Sequence, residues 1–220
     1  MADRSNEPVV VIGLARFGSA LALELTERGV DVLAIDSNPR TVQDLSGRLA
    51  HVVTADATDI EALRQLGVPD FSRAVVAIGT NMEASILTTS LLAELEVADI
   101  WAKAVSRRHG RILERIGARH VVYPEYDMGE RVAHLVSGHM QDYVELDEAH
   151  AIAKVGPPGE LVGVPLGEAG MPARYGVDVI AVKPAEGGFE PAGPGTVLAP
   201  GDAILVLGRI SRVERFADAV

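Results

Sequence analysis

Six residues, Gly13-Leu14-Ala15-Arg16-Phe17-Gly18, follow an apolar run and open an amphipathic one, the context in which a glycine turn can hold a phosphate. In such a turn Gly13 lets the chain bend, position 15 lets backbone N–H groups approach a pyrophosphate, and Gly18 lets the next helix pack close to a sheet. The helix N-terminus adds partial positive charge. Ala15 stands where the fingerprint has a second glycine, and its one methyl predicts a shifted phosphate pose rather than a lost site. Asp36, 23 residues after Gly13 and followed by Ser37, ends the second apolar run. An acid there accepts hydrogen bonds from a ribose diol and disfavours a 2′-phosphate. Asp56-Ala57-Thr58 ends the third run, where the adenine edge is expected, and Gly79-Thr80-Asn81 ends the fourth. The alternative makes Gly13 and Gly18 mere turn and packing glycines and Asp36 a helix cap. Spacing, acid and context together favour an adenine nucleotide.

Other chemistries fail on particular residues. A Walker A loop needs Lys after its second glycine, but Ser19 follows Gly18, and the lysines are Lys103, Lys154 and Lys183. The Tyr-x-x-x-Lys pair of short-chain dehydrogenases is absent: Tyr126, Tyr143 and Tyr175 are followed four residues on by Glu130, Asp147 and Val179. Gly-x-Ser-x-Gly does not occur, and without cysteine there is no thiolate chemistry. His134 and His139 fall on different helix faces, which disfavours a metal pair. The other four histidines, at 51, 109, 120 and 150, are scattered. Arg107, Arg111, Arg115 and Arg119 would line one face of a helix that reached so far, a solvated stripe paired with acids such as Glu114. A nucleotide site without catalytic groups suggests sensing. An unusual NAD-dependent oxidoreductase is the rival.

The elements that must position these residues follow from hydrophobic periodicity. Short apolar runs at 9–12, 32–35, 52–54, 74–78, 100–104 and 120–123 read as strands, and amphipathic runs at 18–28, 40–49, 60–66, 82–95, 107–116 and 128–140 read as helices. Strands apolar throughout belong to a parallel sheet covered on both faces, so residues 1–140 are expected to form a Rossmann-like, doubly wound α/β domain. After residue 140, Gly and Pro recur every few residues around short runs at 151–155, 177–182 and 203–207, with a helix at 212–219. Residues 141–220 are therefore expected to be a small α+β, β-rich lobe, with the boundary near 141–145.

With 31 acidic against 20 basic residues the formal charge is −11, which disfavours nucleic acid as a partner. The N-terminus shows no secretion signal, and no run approaches the roughly 20 apolar residues of a membrane helix, so any membrane role needs another chain.

These residues resemble the regulator of K+ conductance family, of the KtrA/TrkA type. The resemblance spans nearly the whole chain. It rests on the string from Val10 to Gly18, on Asp56-Ala57-Thr58, on Ala77-Ile78-Gly79 with Asn81-Met82-Glu83-Ala84-Ser85, and on Ile100-Trp101-Ala102-Lys103-Ala104. Leu113-Glu114-Arg115-Ile116-Gly117-Ala118 and Val122-Tyr123-Pro124-Glu125 continue it, and Ala173-Arg174-Tyr175-Gly176-Val177 and Gly201-Asp202-Ala203-Ile204-Leu205-Val206 carry it into the C-terminal lobe.

The resemblance implies a cytoplasmic regulatory subunit, peripheral at the inner face of the membrane and not an enzyme. Its homodimers would assemble into an octameric gating ring beneath a membrane K+ channel or transporter subunit. ATP against ADP, or NAD(H), would change the ring's shape, and a crossover helix near 125–140 would join the lobes. It also implies that Arg16 meets a terminal phosphate at the dimer interface, that Lys103 contacts nucleotide, and that Glu125 helps hold a divalent cation such as Mg2+ or Ca2+. In the C-terminal lobe of some relatives cyclic di-AMP binds. Arg174 matches a phosphate-contacting position there, but Asp178 stands where binders tend to have Asn, and a carboxylate cannot donate that bond. A nucleotide-sensing subunit of a cation/proton antiporter is the alternative within the same class.

Overall fold

The computed structural model describes residues 7–137 and 140–219. The chain divides into two compact units, Met1–Glu125 and Tyr126–Val220.

In the first unit strands β1 (Val9–Ile12), β2 (Val32–Asp36), β3 (His51–Thr54), β4 (Arg73–Val76), β5 (Asp99–Lys103) and β6 (His120–Val122) form one parallel sheet. Its order is β3-β2-β1-β4-β5-β6, the doubly wound arrangement expected, with the switch between β1 and β4. Helices α1 (Arg16–Glu27), α2 (Pro39–Leu45), α3 (Ile60–Gln65), α4 (Met82–Glu94) and α5 (Arg107–Arg115) make the crossovers. β1 shows why the strands read as continuous apolar runs. Val10 and Ile12 enter one buried cluster with Leu63, Leu92 and Ile100, while Val9 and Val11 enter another with Leu14, Leu45 and Leu49. Successive side chains point to opposite faces, and both faces are covered. Burying each such side chain contributes about 1.5–3 kcal/mol.

Helix ends differ from expectation where caps decide them. α1 starts at Arg16, two residues earlier than the pattern suggested, because the turn itself runs into the helix. α2 stops at Leu45 rather than continuing to residue 49, the chain turning at Ser46, Gly47 and Arg48. α5 stops at Arg115, and Gly117 beyond it takes φ 120°, so Arg119 lies off the helix and the four-arginine stripe is not formed.

Helix α6 (Pro124–Val136) starts four residues before its expected position, with Pro124 at its first position, where the lost N–H has no helical partner to miss. Of its expected extent, residues 138 and 139 lie outside the described residues, His139 among them. Composition changes near residue 141, whereas the compact division falls after Glu125, and Leu135 of α6 packs on the second unit's core.

The second unit is an antiparallel sheet of order β10-β9-β11-β8-β7, made of β7 (Asp142–Glu145), β8 (His150–Val155), β9 (Val177–Lys183), β10 (Glu190–Pro191) and β11 (Ala203–Arg209). Short helices α7 (Leu166–Ala169) and α8 (Met171–Arg174) and the terminal α9 (Ile210–Ala217) complete it. Tyr143, Leu161, Leu198, Ile204, Val213 and Phe216 fill its core. β7 escaped the sequence reading because Asp142-Tyr143-Val144-Glu145 holds no apolar run, and α7 and α8 because four residues are too few for a helical periodicity to register.

Candidate nucleotide-binding cleft

The turn after β1 is built as the glycines require. Gly13 has φ 90°, and its N–H donates to the Ile35 carbonyl at 2.8 Å. A Cβ on Gly18 would overlap the Gly13 carbonyl oxygen, so this glycine is what lets α1 start against the turn. Ala15 is the N-cap of α1 at φ −64° and ψ −173°, an extended conformation open to any residue, so the departure from glycine adds no backbone strain. Its side chain offers no cap, and the first turn of α1 contains no acid. The helix's opening N–H groups therefore have no competing side-chain anion of their own.

The carboxylate of Asp36 is tied to the backbone. Oδ2 accepts from Leu14 N at 2.6 Å and Oδ1 from Asn38 N at 2.8 Å. The cap of α2 is Asn38, which accepts from Arg40 N at 3.0 Å, so the alternative that made Asp36 the helix cap gives way to a shared arrangement. A carboxylate has about four lone-pair sites, so Asp36 keeps acceptor capacity on both oxygens. At the end of β3, Thr58 donates to Asp56 Oδ1 from its backbone N at 2.9 Å and from its hydroxyl at 2.7 Å. These bonds, the hydroxyl's first, hold the Asp56 carboxyl below the usual carboxylate range. Asn81 caps α4 by accepting from Ala84 N at 3.0 Å.

These groups border one cleft of about 330 Å³ at the carboxyl ends of the strands. Of the residues expected from sequence, Gly13, Ala15, Asp36, Ser37, Asp56, Ala57, Thr58, Gly79, Thr80 and Asn81 line it. Asn38, Thr41, Ala84 and Thr88 line it too and were not anticipated. Asn38 before Pro39 is a legible cap signal. Thr88 belongs with Ser85 and Thr89 to a buried hydroxyl patch on α4. Thr88 donates to the Ala57 carbonyl at 3.2 Å, joining α4 to the Asp56 loop.

Arg16, Phe17, Gly18, Lys103 and Glu125 are not in the cleft wall. Lys103 is nine-tenths buried, and its Nζ donates to Glu125 Oε1 at 2.5 Å while lying 5.8 Å from the Phe17 ring centroid. A Cβ on Gly79 would come within 3.0 Å of that Nζ, which places the ammonium beside the cleft-lining Gly79. Glu125 is held below the usual carboxylate range, first by the Lys103 bond and to a lesser degree by the Lys103 and Arg16 charges. Arg16, Lys103 and Glu125 thus share one electrostatic neighbourhood. Among the described residues no three His, Asp or Glu side chains converge as a metal centre would need.

Elsewhere, the Arg107 guanidinium lies 4.6 Å from the Tyr123 ring centroid. His109 is buried with Nδ1 accepting from Val105 N at 3.3 Å, and burial holds its imidazole below the usual histidine range. The His134 ring lies 3.9 Å from that of Tyr143, centroid to centroid, tilted by 33°. Arg174 sits at the end of α8, 3.3 Å from Glu160 Oε2 and over the Tyr175 ring, and Asp178 is exposed on β9. No helix among the described residues is long and apolar enough to cross a membrane.

Residues 9–124 match the TrkA-N domain family and residues 150–220 the TrkA-C domain family. Ktr system potassium uptake protein C of Bacillus subtilis (strain 168) is 37% identical over 211 residues, covering 96% of each chain. Among solved structures, the GsuK RCK domain superposes with a TM-score of 0.66 at 19% identity, over all of this chain and 49% of that one. The GsuK channel bound to NAD gives 0.64 at 19%, over 97% of this chain and 39% of that one. The chain spans half or less of these structures, and they speak to the fold alone. Full-length identity and both domain matches establish the rest: the chain belongs to the TrkA-domain family of potassium-uptake proteins, whose members are regulatory subunits and not enzymes.

Proposed function

We propose that this chain is a regulatory subunit that binds an adenine nucleotide in the cleft at the β1/β4 switch point and conveys its occupancy to a separate membrane subunit that moves K+. The observation that carries the reading is the cleft itself, which the phosphate turn and residues Asp36 and Asp56 line together. In this reading the pyrophosphate lies on the N–H groups around Gly13 and Ala15, the ribose diol on Asp36 and Ser37, and the base beside Asp56, Ala57 and Thr58. Gly79, Thr80 and Asn81 line the same cleft. The GsuK channel, which shares the fold, is bound to NAD, so a dinucleotide is among the ligands to test beside ATP and ADP.

Sensing needs a contact that differs between nucleotides. Arg16, exposed at the start of α1, is assigned to a terminal phosphate, and Lys103 to a phosphate reaching past Gly79. Glu125 brings a single carboxylate already held by Lys103, so a divalent cation there takes its remaining ligands from the nucleotide's phosphates. The family suggests that the chain works at the cytoplasmic face of the membrane as homodimers closing into an octameric ring, where paired sites turn occupancy into subunit rotation. A cyclic dinucleotide at Arg174 and Asp178 would have to displace Glu160 from Arg174, and Asp178 opposes it electrostatically.

The test is reconstitution with the membrane subunit in vesicles. K+ flux should change on exchanging ATP, ADP, NAD and NADH in the presence of this chain and not in its absence. Tight nucleotide binding with flux indifferent to every nucleotide would overturn the regulatory assignment.

A further inference from the structure

The base end of the cleft holds a hydrogen-bond arrangement that goes beyond simple binding. The strands run β3-β2-β1, so a ligand with its phosphates at the β1 turn and its ribose at β2 brings its base to the end of β3. There Asp56 lines the cleft, and its Oδ1 accepts twice from Thr58, from the backbone N at 2.9 Å and from the hydroxyl at 2.7 Å. Two bonds fill both lone pairs of Oδ1 and set the plane of the carboxylate, leaving Oδ2 as its open acceptor. The carboxyl is ionised at neutral pH, since the same bonds lower its proton affinity. Oδ2 can therefore accept but cannot donate.

Purines differ in what they offer such an oxygen. A 6-aminopurine presents N–H donors at position 6, whereas a 6-oxopurine presents an acceptor there. Resting on the nucleotide reading above, we propose that Thr58 makes the base end of the cleft selective for 6-aminopurines by pinning Asp56 with one oxygen saturated and the other turned to the base. In this arrangement Thr58 acts through Asp56, so it is a positioning residue. Asp56 is exposed, and without the two Thr58 bonds its carboxylate would rotate and lose the fixed presentation on which discrimination depends.

Calorimetric titration of the full chain with two ligand pairs tests this: ADP against IDP, and NAD against nicotinamide hypoxanthine dinucleotide. Each pair differs in amino against oxo character at purine position 6 and, with it, in N1, which accepts in the amino member and carries an N–H in the oxo member; the proposal sets Oδ2 against position 6. The amino member should bind about tenfold tighter, as expected for one hydrogen bond to a charged group. In Asp56→Asn the amide oxygen stays on the Thr58 donors and the NH2 group faces the base, so the preference should reverse toward the oxo member. Adding Thr58→Val removes the hydroxyl bond and leaves only the backbone N–H of residue 58 on the amide, and should weaken the reversal. Thr58→Ser keeps the hydroxyl and should keep the unsubstituted ratio, with melting midpoints on the same samples confirming folded protein. Equal binding of both members by the unsubstituted chain, or an amino preference that survives Asp56→Asn, would overturn the proposal and leave the cleft assignment standing. Failure of all four ligands to bind would remove both.

Discussion

Asp36 Oδ2 accepts the backbone N–H of Leu14 at 2.6 Å, so the acid expected to hold a ribose also holds the phosphate turn. Its other oxygen accepts from Asn38 N at 2.8 Å. Asp36→Ala should therefore lower stability by about 1–2 kcal/mol, the range for a charge-assisted bond at a half-buried site, as well as weakening nucleotide. Asp36→Asn should recover part of the stability while binding nucleotide less tightly. Urea midpoints and calorimetry on the two variants separate the roles; equal stability of Asp36→Ala and the unsubstituted protein would deny Asp36 its structural part.

Ala15 caps α1 without a side-chain hydrogen bond. Ala15→Asp should supply that bond and raise stability by about 1 kcal/mol. The same carboxylate would occupy the opening N–H groups and repel phosphate, so nucleotide affinity should fall. A higher melting midpoint with reduced affinity is the expected pair of results, and unchanged affinity would move the phosphates away from this helix end.

Lys103 and Glu125 form a lopsided pair, with side chains 10% and 64% exposed. Glu125→Ala leaves a buried ammonium without its partner and should destabilise more than Lys103→Met, which removes the buried charge while filling its space. A difference of about 1–2 kcal/mol is expected, reduced from the fully buried case because Glu125 is screened by water. The sign with pH is fixed. Glu125 has a lowered folded pKa, so the pair stabilises above the ordinary carboxylate range and loses its effect as pH falls through the folded value. Denaturation from neutral pH down to about pH 3 should show Glu125→Gln converging on the unsubstituted protein.

Arg16 is exposed at the first position of α1 and helps keep Glu125 ionised. If it reads a terminal phosphate, Arg16→Ala should weaken ATP by about tenfold and ADP by less. Equal losses for the two nucleotides in calorimetry would assign Arg16 to the shared phosphates instead.

The parallel sheet was legible because burial on both faces demands unbroken apolar runs, and Val9–Ile12 has that pattern with all four residues buried. Most of the cleft followed, because in a doubly wound sheet the strand ends are where polar residues can gather. Helix ends were less legible: Pro124 and Gly117 moved α6 and α5 by residues that periodicity does not weigh. Thr41 and Thr88 carry no motif, and they became cleft residues only when α2 and α4 closed over the strand ends.

Residue types and spacing determined the fold class and the family and pointed to a nucleotide cleft, since those depend on local backbone geometry and strand periodicity. Which partner each polar group takes was decided by the tertiary structure. Ala15 is free of strain, Asp36 divides its oxygens between Leu14 and Asn38, Thr58 fills one oxygen of Asp56, and Lys103 meets Glu125 across 22 residues of sequence. Hydrogen bonds and ion pairs are made at contact distance, and the packing of helices on the sheet is what brings those atoms together.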